Sequence, residues 1–62
     1  MIELKWKDAP EKAEFILKDD GGYVAPSFVY DAGDRYQEVG SSSFLMKADY
    51  KMDSEWKLEA RP

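Results

Sequence analysis

The chain contains no cysteine and no histidine. The first absence excludes disulfides and thiolate metal sites. The second removes the commonest general base, and the two together remove the side chains that zinc, copper and iron favour. Neither the phosphate-loop pattern nor the Gly-x-Gly-x-x-Gly dinucleotide pattern occurs. No apolar run approaches the ~20 residues of a membrane span, and no apolar signal segment follows Met1. From these absences we expect no catalytic residue, no metal, no cofactor and no membrane, hence a protein that is not an enzyme and works in a reducing compartment, most simply the cytoplasm.

Sixty-two residues make one small domain, 1–62, with 60–62 expected as a flexible tail. A chain this short buries only about 60% of the surface its unfolded form exposes. What is present to offset that is aromatic mass: three Phe, four Tyr and two Trp. Thirteen acids against nine bases leave a formal charge of −4, and the bases are scattered among the acids. That balance argues against nucleic acid and against an anionic lipid surface, both of which need clustered cations.

Alternation organises most of the chain. Ile2, Leu4 and Trp6 alternate with Glu3, Lys5 and Lys7, which reads as a half-buried strand. Pro10 has no N–H and disfavours helical geometry at Ala9, so Asp8–Lys12 is read as a loop or single helical turn forming a corner. A strand over Ala13–Lys18, the turn Asp19-Asp-Gly-Gly22 and an aromatic, β-branched run over Tyr23–Tyr30 then read as a hairpin. Pro26 bends the second strand or places it at a sheet edge. After the turn Asp31-Ala-Gly-Asp34, Arg35–Val39 reads as a third strand, and Gly40-Ser-Ser-Ser43 as a polar connection.

The segment 44–53 fits two templates. Phe44, Met46, Ala48, Tyr50 and Met52 alternate with Lys47, Asp49, Lys51 and Asp53, broken only by Leu45. A helix would instead group Phe44, Leu45, Ala48, Met52 and Trp56. The out-of-phase charges favour the strand. Trp56 and Leu58 alternate again with Lys57 and Glu59. The expected fold is mainly β: a small antiparallel meander of four to six short strands with at most one short helical turn, curled on itself or packed in a homodimer. Trp6, Phe15, Leu17, Phe28, Phe44, Met46 and Trp56 are the expected core.

Asp19 with Asp20, and Asp31 with Asp34, are paired carboxylates, but each pair sits in a Gly-containing turn where Asp bonds nearby backbone, and neither follows a calcium-loop spacing. Tyrosine is enriched at interfaces, so Tyr23, Tyr30, Tyr36 and Tyr50, with the cation Arg35, are the candidate partner-binding residues.

Trp6-Lys-Asp-Ala-Pro-Glu-Lys-Ala, the hairpin after it, and Trp56-Lys-Leu-Glu-Ala-Arg-Pro62 together resemble small proteins encoded by tailed bacteriophages and prophages. Those share a Trp-x-x-Ala-Pro-Glu-x-Ala opening, a Gly-containing aromatic hairpin and a Trp with a closing Arg-Pro. Lys12 departs from the pattern, which often carries an aromatic there. The resemblance implies an accessory phage protein in a bacterial host's cytoplasm. The expected function is therefore a non-enzymatic binding protein that inhibits or modulates a host protein. Two alternatives are an oligomeric sponge for a nucleotide-like small molecule, held in an inter-subunit crevice by tyrosines and by Arg35 or Lys side chains, and an assembly protein joining partners by strand addition.

Overall fold

The computed structural model describes residues 3–62, so Ile2 of the expected first strand lies outside the described residues. Five antiparallel strands form one curled, half-barrel sheet: β1 (Phe15–Asp19), β2 (Ser27–Asp31), β3 (Arg35–Glu38), β4 (Phe44–Met46) and β5 (Trp56–Ala60), in the order β4-β3-β2-β1-β5. One short helix, α1 (Lys47–Met52), joins β4 to β5. The expected mainly β meander is what forms. The chain walks outward from β1 to β4, and β5 then returns to the other side of β1.

Side chains alternate across the sheet, so the pairing register sorts them into two faces. One carries Phe15, Leu17, Val29, Tyr36, Leu45, Trp56 and Leu58; the other carries Ile16, Phe28, Tyr30, Arg35, Phe44, Lys57 and Glu59. The N-terminal segment covers the second face. There the Trp6 ring lies 5.8 Å from that of Phe28, and its indole Nε1 donates to Glu59 at 2.9 Å. Beneath this cover Ile16 is wholly buried, at 0% exposure.

The start of the chain corrects one expectation. No strand spans the described residues 3–7; Trp6–Asp8 is a single 3-10 turn, closed by Asp8 N to Lys5 O and Ala9 N to Trp6 O, each at 3.0 Å. The turn aims the indole at Phe28 and Glu59. The corner expected at Asp8–Lys12 is present, with Ala13 N bonded to Pro10 O at 3.1 Å.

The hairpin is looser than expected. β2 begins at Ser27, not Tyr23. Pro26 cannot donate to the ladder, and the Asp19 carboxylate draws in the loop by accepting from Gly21 N at 2.9 Å and Tyr23 N at 3.1 Å. Gly22 takes φ 77°, open to glycine at little cost. Asp31 likewise accepts from Gly33 N at 2.9 Å, so both acidic pairs supply turn residues.

The segment 44–53 is the second correction. The strand stops at Met46, after which Lys47–Met52 is helical. β4 and β5 lie on opposite edges of the sheet, so the chain must leave the ladder and cross a face. The helical repeat returns Tyr50 to the sheet, 5.5 Å from Tyr36 at 73°, and Tyr36 stands 6.0 Å from Phe15 at 74°. The Tyr36–Tyr50 contact of that edge-to-face series holds α1 over one end of the first face.

Among the described residues the buried ones are Ala13, Ile16, Leu17 and Val29, with Ile16 and Val29 fully enclosed. Of the expected core only Leu17 is among them; Trp6, Phe15, Phe28, Met46 and Trp56 are half-buried, and Phe44 is 51% exposed. A single thin sheet encloses few residues; Ile16, Leu17 and Val29 lie on β1 and β2, the strands flanked on both sides, and Ala13 lies just before β1. At the end of the chain, Ala60 closes β5 and the Arg61 guanidinium donates to Ala13 O at 2.8 Å and Pro10 O at 3.0 Å. Two of the three residues expected in the tail therefore bear directly on the fold.

Candidate functional site

Because α1 covers only the Phe15–Tyr36 end of the first face, the other end stays open. The result is a shallow groove of about 260 Å³. Leu17 and Val29 form its floor, with Leu45 on one side and Trp56 on the other. Val24, in the β1–β2 loop, and Phe44, on the edge strand β4, stand at its margin, each 51% exposed. The lining is predominantly apolar, and Glu38, which pairs with Val29 across β2 and β3, contributes a carboxylate.

The sequence places these residues for separable reasons. Leu17, Val29 and Leu45 alternate onto one face of their strands. Val24 reaches the rim because Pro26 delays β2 and Asp19 pins the loop. Leu45, the residue that breaks the alternation of 44–53, points to this face while Phe44 and Met46 point to the other. Its misfit with the pattern was the one sequence signal for the groove.

The five candidate partner-binding residues do not meet at one place. Tyr36 and Tyr50 are together, but in the aromatic series that seats α1. Tyr36 also borders the groove. Tyr30 and Arg35 lie on the opposite face. Lys12 Nζ sits 4.4 Å over the Tyr30 ring; Arg35 pairs with Asp34 at 2.9 Å and lies 4.5 Å over the Phe44 ring. Tyr23 stands alone at the hairpin tip, 88% exposed. The exposed Val24 and Phe44 were not among the candidates.

Charges organise the two ends of the sheet. Lys47 Nζ binds both oxygens of Asp31, at 2.8 and 2.9 Å. That bond and the Gly33 N–H hold the Asp31 carboxyl below its ordinary range, and the same bond to Asp31 raises Lys47 above its own. Arg35 does the same for Asp34. Glu59 is lowered by Lys18 first and by the Trp6 indole second. All these groups are solvent-exposed, so they orient side chains more than they stabilise the fold. Among the described residues no group of three or more acidic side chains is placed to hold a metal ion, and no helix is long and apolar enough to cross a membrane.

No protein-family model, no curated protein and no solved structure matches this chain. The groove's own chemistry is therefore the basis for a functional reading.

Proposed function

We propose that this chain is a non-enzymatic binding protein, phage-encoded, that docks on a bacterial host protein and inhibits or modulates it in the host cytoplasm. The observation that carries the reading is the open half of the sheet: a groove floored by Leu17 and Val29 and flanked by Leu45 and Trp56, with half-exposed Val24 at its margin. Apolar surface of this kind gains free energy when another protein excludes water from it. Glu38 within the groove and the formal charge of −4 favour a partner that offers apolar side chains beside a cation.

A sponge for a nucleotide-like anion draws less support. The groove carries a carboxylate, and Arg35 belongs to the opposite face. A wider hollow of about 670 Å³ beside Lys18 is lined by Glu3, Asp19 and Asp20, whose charge opposes an anion.

The test is capture from bacterial lysate by the tagged wild-type chain and by Val24→Asp, at low and high salt. Val24 is exposed in a loop, so Val24→Asp leaves the fold intact. A single host protein held by the wild type and lost by the variant is the expected result. Equal capture by both, or none by either, removes the groove from the function.

A further inference from the structure

The outer side of β5 is unpaired among the described residues. Asp20 N donates to Glu55 O at 2.9 Å and Arg61 N donates to Glu14 O at 3.1 Å. In an antiparallel ladder the groups alternate in direction, so Glu55, Lys57, Glu59 and Arg61 turn their backbone toward β1. Trp56, Leu58 and Ala60 turn theirs outward. The Trp56 N–H bends back to Asp53 O at 3.4 Å. The N–H groups of Leu58 and Ala60, and the carbonyls of Trp56, Leu58 and Ala60, face away from the sheet.

Such an edge is usually blunted by a proline, a bulge or an unneutralised lysine. β5 has no proline, its register with β1 is unbroken, and the strand Trp56-Lys-Leu-Glu-Ala60 carries one base and one acid and so no net charge. We propose that β5 pairs antiparallel with β5 of a second copy, centred on Leu58, so that the two five-stranded sheets join edge to edge.

The register is self-complementary on both faces. Lys57 comes opposite Glu59 of the second copy, and Glu59 opposite its Lys57. Trp56 comes opposite Ala60, large against small, and Leu58 opposite Leu58. Within one chain Lys57 is in register with Lys18, a like charge, and has no carboxylate partner among the described residues, because Lys18 takes Glu59 at 3.0 Å. Pairing supplies the partner that Lys57 lacks. Moving the centre to Lys57 or to Glu59 would set like charges opposite one another, which opposes those registers. The Leu58 and Ala60 donors then reach the Leu58 and Trp56 carbonyls of the second copy. This pairing does not depend on the docking groove, although it brings two grooves to one continuous face.

Two tests use the purified chain. Lys57→Glu sets like charges opposite each other between copies, yet within one chain it places Glu opposite Lys18, so the fold is kept. Sedimentation over a range of concentrations is expected to show a wild-type dimer, with the variant weakened by about tenfold or more while its circular dichroism is unchanged. The chain has no cysteine, so single thiols report geometry. Hydrogen-bonded antiparallel partners lie ~5.5 Å apart at Cα, within disulfide reach. Leu58→Cys is expected to cross-link on mild oxidation. Ala60→Cys, whose two copies stand about 13 Å apart in this register, is expected to stay single. A wild type that remains monomeric, a Lys57→Glu dimer of unchanged strength, or cross-linking of Ala60→Cys as readily as Leu58→Cys each overturns the proposal. A monomer that takes an extended peptide along β5 overturns it too, and assigns the edge to another protein.

Discussion

Trp6 and Glu59, 53 positions apart in sequence, are joined by a hydrogen bond of 2.9 Å from the indole Nε1 to the carboxylate. The other oxygen of Glu59 takes Lys18 Nζ at 3.0 Å, and the Arg61 guanidinium lies 5.5 Å over the Trp6 ring. The N-terminal turn is thereby clasped to the edge strand, and the clasp covers the wholly buried Ile16. The contact thus adds coverage of the second face that strand pairing by itself does not supply.

Trp6→Ala removes the ring that shields Ile16 and Phe28, and a loss of about 2–3 kcal/mol is expected from a half-buried indole. Trp6→Phe keeps most of the ring contact and loses the bond to Glu59, so its loss is smaller. Urea titration of both variants checks the order. Equal losses would make the hydrogen bond the main element of the clasp, and no loss in either would remove the clasp from the fold's stability.

Ile16→Ala should cost about 3–4 kcal/mol, since a fully buried side chain leaves a cavity between two covered faces. Much of the stability of a chain this short is of that size. Trp56→Ala, at a half-buried groove position, should cost about 1–2 kcal/mol while weakening partner capture. Thermal melts of the two variants, set beside a pull-down of Trp56→Ala, separate a core role from a surface role.

Tyr50→Ala detaches α1 from Tyr36. A helix of six residues has no independent stability in water, so the amides of 47–52 should lose protection from hydrogen exchange. Those of β1 should keep theirs, because β1 is paired on both sides. Loss of protection in both would mean that α1 and the sheet unfold together.

Acid should destabilise the fold in a defined window. The carboxyls of Glu59 and Asp31 are held below their ordinary values of 4.5 and 3.8. A depressed folded value means that the contribution is fully present above the ordinary value and is lost as pH falls through the folded one. The melting temperature is therefore expected to fall with pH below about 4.5, and Glu59→Gln should flatten part of that decline. An identical pH profile in the variant would place the acid sensitivity elsewhere.

Much of the strand content was legible because alternation is a local property. Phe15–Asp19, Arg35–Glu38 and Trp56–Ala60 lie close to their expected spans. Ile16 was missed as core because the period-two reading of Phe15 and Leu17 assumes one buried face, whereas β1 is covered on both. The tyrosines were legible as aromatic mass but not as separate roles. Whether a ring seats a helix, as Tyr50 does, or stands free, as Tyr23 does, depends on the neighbours the fold brings to it.

By itself the sequence determined the β class, the turns at Asp19 and Asp31, and the lack of imidazole and thiol chemistry, because each follows from side-chain type and short-range spacing. Only the tertiary structure decided that 44–53 breaks into strand and helix, that one face keeps an open groove, and that β5 ends, among the described residues, as an unpaired edge. The physical reason is topological. β4 and β5 occupy opposite edges of one sheet, so the chain between them must cross a face, and a six-residue helix is long enough to cover only part of it.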